Sequence, residues 1–365
     1  MNSLRQVAAA VCAILLAACC ASVSAQEPQN PKPAPAPPPP TQQPATGASG
    51  GQVVIRVPVN EVVIPVTVKD HGGRLVPDLN KGDFRVFEDN VEQRVSFFRA
   101  EATPLSVIIL LDNDLKDRDA EQVSKSIDAI VAGLSPSDES FVCRFDQFFH
   151  PGKGFTTDQD KLLIELKRTR LDSDTDAPSP GGPFQNTPKI NGQSTSGGPS
   201  VPPSTQILKG QVTKALDDAV YNAALLLKGR GTSRERRRII FLISDGRNGA
   251  KFNTNSYDTT IKQLLNNDIA VYSIAVGSAY FDRKFSRLVD YAHATGGEVY
   301  FAAKRQTMEE LYSRVTEEAR HQYLLAYSPA GTDRGAEHHS IEVRVEREGL
   351  TVIAREGYYA SGIPR

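Results

Sequence analysis

Apolar and polar residues exchange places along this chain with two distinct periods. Near the start of the patterned region Val62, Ile64, Val66 and Val68 alternate with Val63, Pro65 and Thr67, up to a turn at His71-Gly72-Gly73. Phe84 and Val86, then Val95 and Phe97, flank a second turn at Glu88-Asp89-Asn90. A period of two with turn residues between the runs predicts a small antiparallel unit. The far end repeats the pattern. Ile341, Val343 and Val345 alternate with Glu342, Arg344 and Glu346, Gly349 turns the chain, and Leu350, Val352 and Ala354 return. Neither group alone amounts to more than a few short strands, which are marginal in water. The two ends are therefore expected to pair into one β-sandwich, with the middle of the chain inserted between them.

The middle has a different rhythm. Continuous apolar runs at Val107 to Leu111, Phe141 to Phe145, Ile239 to Ile243, Ile269 to Val276 and Glu298 to Phe301 read as buried strands. Between them apolar residues recur at helical spacing: Val123, Ile127, Ile130 and Leu134, then Leu216, Val220, Ala223 and Leu227, then Tyr257, Ile261 and Leu264. Phe285, Leu288 and Ala292, and Met308, Leu311 and Val315, continue the series. Apolar strands joined by amphipathic helices predict an α/β fold, a doubly wound and mainly parallel sheet covered on both faces. Ligands of such sheets bind beyond the carboxyl ends of the strands, where the strand order reverses. Asp112 ends the first run and Asp245 follows a later one, so both acids are expected at one rim.

Two stretches cannot build a core. Residues 26–52, dense in proline, read as an extended linker, and residues 171–210, rich in Ser, Thr, Pro and Gly, as a low-complexity insertion. Residues 1–25 have the form of a signal peptide: Arg5, an apolar stretch from Val7 to Ala18 too short to span a bilayer, and the small residues Val23-Ser24-Ala25. Within it, Leu16-Ala17-Ala18-Cys19 resembles the bacterial lipobox, which would make Cys19 a lipidation site. Both routes imply export, to the periplasm or exterior or to a lipid anchor in the cell envelope. Cys143 is the one cysteine beyond this leader, so no intrachain disulfide is expected, and its apolar neighbours predict a buried, inert thiol.

With 365 residues, 39% hydrophobic and 23% charged, the chain can bury one full core and a smaller one. A formal net charge of -1 supplies no attraction for nucleic acid. The basic cluster Arg234, Arg236, Arg237 and Arg238 leads into an apolar strand and reads as a solvated strand entrance. The six histidines lack metalloprotease spacing, and His338-His339 reads as surface. No GxSxG or Walker loop occurs.

"VIILLD", "FLISDGRN" and "DIAVYSIAVG" resemble the von Willebrand factor A domain. "VTVKDHGGRLVPDLNKGDFRVFEDNVEQRVSFF", "QYLLAYSP" and the final "IAREGYYA" resemble its exported bacterial branch, the VWFA-related proteins. The resemblance runs from about Val53 to Ala360. It implies strands of the sandwich at 53–103 and 323–365 around an A domain at 104–322. It also implies a metal-ion-dependent adhesion site (MIDAS) and a non-enzymatic module binding a protein or matrix ligand. That site is built from Asp-x-Ser-x-Ser, a threonine and a further aspartate, around magnesium or another divalent ion.

The match at the site is partial. Asp112 and Asp245 stand at the two aspartates, Asp114 and Lys116 at the two serines, and Lys214 at the threonine, with Thr213 one residue off. Hydroxyls ligate a hard cation without adding charge, and a carboxylate in their place weakens its pull on a ligand acid. Two readings of this degenerate rim stay open. Asp112, Asp114 and Asp245 hold Mg or Ca, or the Lys116 ammonium stands in for the ion. Asp119 is expected to cap the following helix. An enzyme reading competes: Asp112-x-Asp114 after an apolar strand also resembles the first motif of haloacid-dehalogenase-like, Mg-dependent phosphatases. Lys116, Arg247 and Asn248 depart from that pattern.

Overall fold

The computed structural model describes residues 61–169, 212–231, 234–280, 286–302, 305–329 and 337–360, with two-residue strands at 189–190 and 193–194. The leader with Cys19, the proline-rich linker and most of the 171–210 insertion lie outside the described residues. Everything described belongs to one compact unit.

The head of this unit contributes β1 (Val62–Lys69), β2 (Phe84–Glu88), β3 (Val91–Gln93) and β4 (Val95–Arg99). The middle opens with β5 (Leu105–Asp112), α1 (Asp117–Lys125), α2 (Ile127–Ala132), β6 (Glu139–Phe145), β7 (Phe149–Pro151) and α3 (Gln159–Lys167). The short β8 (Lys189–Ile190) and β9 (Gln193–Ser194) pair with each other. Then come α4 (Leu216–Leu227), β10 (Arg237–Ser244), α5 (Tyr257–Asn266), β11 (Ile269–Ala275), α6 (Arg287–Thr295), β12 (Val299–Phe301) and α7 (Arg305–Arg320). The tail adds β13 (Tyr323–Tyr327), β14 (His338–Val345), β15 (Thr351–Ala354) and β16 (Gly357–Tyr359).

The central sheet runs β12-β11-β10-β5-β6-β7 and is parallel except for β7. All eight residues of β5 are buried, because the strand is covered on both faces. Val107, Ile109 and Leu111 face α1, α2, α3 and α7, whereas Ile108 and Leu110 face α4, α5 and α6. The fold is the expected doubly wound α/β sheet. The helix predicted through Val123 and Leu134 is two helices, broken at Ser126, whose hydroxyl donates back to the carbonyl of Gln122 at 3.0 Å.

Two antiparallel four-stranded sheets, β15-β1-β13-β4 and β16-β14-β2-β3, pack around Ile64, Val66, Val86 and Leu325. Phe84, Phe98 and Tyr323 cluster in this core, with Phe84 and Tyr323 centroids 5.1 Å apart. The sandwich of head and tail strands is present, but its wiring differs from two self-paired groups. β1 pairs with β13 and β15, and β2 with β14, so each sheet mixes both ends of the chain. The turn at Gly349 (φ 77°) carries the chain from one sheet to the other rather than closing a hairpin between β14 and β15. A true hairpin joins β2 to β3, and Asp89 (φ 48°) and Asn90 (φ 66°) supply the two left-handed residues that a tight two-residue turn requires.

The arginine cluster is a solvated entrance only in part: Arg234 is exposed, whereas Arg237 and Arg238 belong to β10 and are buried and half-buried. Arg237 is buried, and its guanidinium donates to the Gln322 backbone oxygen at 2.6 Å and side-chain oxygen at 3.1 Å. Burial pulls its pKa down to about 10. Gln322 in turn donates to Thr67 and Tyr272, each at 3.0 Å, which ties the strand of one sandwich sheet to the central sheet. Arg234 pairs with Glu61, and Arg236 donates to the carbonyl of Leu105 at 3.0 Å. Arginine staples two layers here because its fork satisfies several carbonyls at once.

Cys143 is buried on β6, and burial pushes its thiol up to about 12. The thiolate is the reactive form, so the native protein is expected to resist iodoacetamide at pH 8 while the denatured chain is fully alkylated. Mass spectrometry of both samples checks this; rapid native labelling would contradict the burial.

Candidate functional site

Strand order reverses between β5 and β10: β5 leads to β6 on one side, and the chain then crosses back to β10 on the other. The parallel register sets Leu111 beside Ile243, which brings Asp112 and the Ser244-Asp245 pair to the same carboxyl-terminal edge. The segment before α4 closes over this edge. Its Ala215 N–H donates to the carbonyl of Asp146 at 2.9 Å, and the Lys214 carbonyl accepts from the Gly249 N–H at 2.8 Å. Lys214 is thereby held by the loops after both β6 and β10.

The Lys214 ammonium lies 2.8 Å from Asp112 Oδ2 and 2.9 Å from Asp245 Oδ1, and its side chain is 3% exposed. Ser244 Oγ donates to Asp112 Oδ2 at 2.7 Å, and the Asp114 N–H donates to Asp112 Oδ1 at 3.0 Å. Asp245 Oδ1 also accepts from the Arg247 N–H at 3.1 Å. Two carboxyl groups thus share one ammonium in the buried triad. Burial is the largest influence on Asp112 and pushes its carboxyl up; Lys214 opposes that shift and Asp245 adds to it. Burial pulls Lys214 down, but the two carboxylates outweigh it and hold its pKa above the ordinary value. The proton therefore stays on the lysine at neutral pH.

Of the residues singled out in the sequence, Asp112, Lys214 and Asp245 meet. Asp114 is half-buried at the mouth, its carboxyl pushed up by partial burial, and it engages Asp112 through its backbone N–H. Thr213 is half-buried beside Lys214, which makes the contact with the acids. Lys116 is not the internal cation. It is exposed and caps α1, where its carbonyl accepts from Asp119 and Ala120 at 2.8 and 2.9 Å. The loop turns into a helix at that point, and the side chain is carried outward. Asp119 falls in the first helical turn rather than at the cap, where its charge still favours the helix N-terminus.

Sequence reasoning missed Ser244, Asp217 and Asn248. Asn248 donates to Asp217 at 2.7 Å and accepts from the Leu216 N–H at 3.2 Å, and Tyr291 donates to Asp217 at 2.7 Å. These bonds pin the loop after β10 to the first turn of α4. No spacing rule could have found them, because the partners are 31 and 74 residues apart.

A divalent ion ligated by Asp112 and Asp245 would lie about 2.0–2.6 Å from their oxygens, where the Lys214 ammonium already makes its two bonds. The residues present do not fit magnesium or calcium at this rim.

No protein-family model matches the chain, and no curated protein matches it. Its structural neighbours are von Willebrand factor A proteins and related BatB proteins. A von Willebrand factor type A protein from Catenulispora acidiphila is 9% identical over 75% of this chain and 73% of that one, with a TM-score of 0.42. The conserved hypothetical protein BatB from Bacteroides thetaiotaomicron is 15% identical over 59% of this chain and 98% of its own, with a TM-score of 0.39. Proximal thread matrix protein 1 from the mussel byssus, solved with a zinc-occupied MIDAS motif, is 13% identical over 65% of this chain and 50% of its own, with a TM-score of 0.41.

The phosphatase reading asks Asp112 to attack phosphorus. Asp112 is fully buried, and both its oxygens are engaged by Asp114, Ser244 and Lys214. A nucleophile so enclosed has no line of approach to a phosphoryl group.

Proposed function

We propose that the chain is a non-enzymatic, exported cell-envelope binding module of von Willebrand A type, whose rim holds a protein or matrix ligand without a divalent ion. The observation that carries this reading is the Lys214 ammonium between Asp112 and Asp245. The family's metal draws a ligand carboxylate into its shell, and a buried ammonium already saturated by two acids offers no such pull. The ligand then meets the groups around the triad. At the mouth Asp146 adds to the burial that raises the Asp114 carboxyl, Arg247 is exposed, and Phe148 stands 66% exposed two residues beyond Asp146, its N–H held by the Asp146 carboxylate at 2.7 Å. An exposed aromatic ring beside acids suits a protein ligand presenting apolar and basic side chains. Export rests on the leader. No helix among the described residues is long and apolar enough to cross a membrane, and the lipobox-like Leu16-Ala17-Ala18-Cys19 makes Cys19 the anchor proposed.

The test is capture from envelope extracts by chemical cross-linking, with and without EDTA. The wild type is expected to capture the same partner in both conditions. Asp114→Lys with Phe148→Ala is expected to lose it by at least about 10-fold while keeping its melting temperature. Loss on chelation alone overturns the metal-free reading, and full retention by the double variant overturns the rim. Fractionation of Cys19→Ser decides the anchor: release from the membrane is expected of a lipoprotein, and unchanged fractionation removes the lipid.

A further inference from the structure

Glu88, Asp89 and His339 meet at one end of the β16-β14-β2-β3 sheet, on elements separate from the rim. Glu88 ends β2 and pairs with Ile341 across the sheet, which sets the first residues of β14 against the left-handed turn at Asp89. His339, expected at the surface, is buried. Its Nδ1 lies 2.7 Å from Asp89 Oδ2 and 3.6 Å from Glu88 Oε1. One ligating atom from each of the three side chains lies within 4.8 Å of the others. The Glu88 side chain is 2% exposed. Its Oε1 accepts from the Tyr358 hydroxyl at 3.1 Å, and among the described residues no bond of ordinary geometry reaches its buried Oε2. The neighbouring Tyr327 hydroxyl meets the same carboxylate, and burial together with that contact pushes its phenol well up. A buried carboxylate met only by neutral phenols and an imidazole lacks a full counter-charge, which a bound cation supplies.

We infer that Glu88, Asp89 and His339 form a binding site for one divalent transition-metal ion of the zinc class. An imidazole nitrogen with two carboxylates is a borderline donor set, suited to zinc and its neighbours, whereas magnesium and calcium take oxygen shells. In a tetrahedral zinc site with bonds of 2.0–2.2 Å the ligand atoms stand roughly 3.3 Å apart, and the observed 2.7 and 3.6 Å bracket that spacing. Two carboxylates neutralise the ion. Asp89, 50% exposed, opens the site to solvent and leaves room for a water as fourth ligand. Tyr358 acts behind the ligands: its ring stacks on the imidazole, with centroids 5.2 Å apart and planes 24° apart, and its hydroxyl holds Glu88. On uptake the imidazole carries its one proton on Nε2, so that Nδ1 offers its lone pair to the ion and the ring ligates as neutral imidazole. The ion would clamp the β2–β3 turn from the head of the chain to β14 from its tail.

The experiment titrates zinc chloride into the untagged, chelator-stripped full chain, read by calorimetry and by thermal melting. One ion per chain and a rising melting temperature are expected, with magnesium inert. Glu88 is buried and its variants risk the fold, so Asp89→Asn carries the test. Asparagine tolerates the left-handed backbone and keeps an acceptor for the Ser340 N–H and hydroxyl, now bonded at 2.9 and 3.0 Å. Asp89→Asn and His339→Gln are each expected to weaken zinc binding at least about 10-fold. Asp114→Asn at the rim is expected to leave it unchanged. No zinc uptake, or an affinity that ignores both sandwich variants, overturns the site.

Discussion

Lys214→Met is expected to destabilise the protein by about 3–5 kcal/mol, because it strips the cation from two buried acids that cannot reach water. For a domain of this size that is a fall in melting temperature on the order of 10 °C. The loss far exceeds what one surface ion pair contributes, since the Lys214, Asp112 and Asp245 side chains are nearly inaccessible. The pH dependence has a definite sign. Lys214 has a folded pKa above its ordinary value of 10.5, so its contribution is fully present below 10.5 and is lost as the pH rises through the higher folded value. The wild type should therefore weaken in strong alkali. In Lys214→Met the acids lose their counter-charge, and the Asp112 carboxyl, already raised by burial, moves further up. Its penalty is present at neutral pH and eases as the pH falls through that raised value. Thermal melts of both proteins from pH 4 to 11 check this, and a variant as stable as the wild type at pH 7 would falsify the role of the triad. Lys214→Thr replaces the ammonium with a hydroxyl, which ligates a hard cation without adding charge, and is the variant in which a magnesium-dependent melt should emerge.

Deleting residues 337–365 is expected to abolish cooperative unfolding and to leave an aggregating chain. β14 is the partner of β2, and β15 pairs with β1, so the deletion strips the edge strand β15 from one sheet and both β16 and β14 from the other. What remains of the second sheet is the β2–β3 hairpin alone, which is marginal in water. Phe84, Val86 and Ile64, now buried, would lose the cover that Ile341 and Val343 provide. The junction with the central sheet would suffer as well, since the Arg355 guanidinium near the end of the tail bonds Asp268 before β11 at 2.8 Å. Size-exclusion chromatography and calorimetry of the truncated chain are the measurement. A monomer with a sharp melting transition would show that the head strands complete their sheets without the tail.

The sequence by itself determined the periods, and with them most of the elements. A strand buried on both faces must be apolar throughout, so β5, β6, β10 and β11 announced themselves. Helices with one buried stripe repeat near 3.6 residues, and α4 and α5 followed from that. Asp112 and Asp245 were legible as rim residues because a strand end in a parallel sheet has one geometric destination. Pairing across long separations was not legible. Alternation says which face of a strand is buried but not which neighbour it bonds, so β14 and β15 looked like a hairpin until the structure sent them to different sheets. The cation of the rim was misplaced for the same reason. Lys116 is close to Asp112 in sequence but faces outward at a helix cap, whereas Lys214, 102 residues away, is brought in by the packing of α4 against the sheet. His339 looked exposed because strand ends usually are, and only the turn at Asp89 and the ring of Tyr358 bury it. Local pattern is set by the burial of one side chain at a time, whereas charge pairing and strand neighbours depend on which distant segments the core draws together.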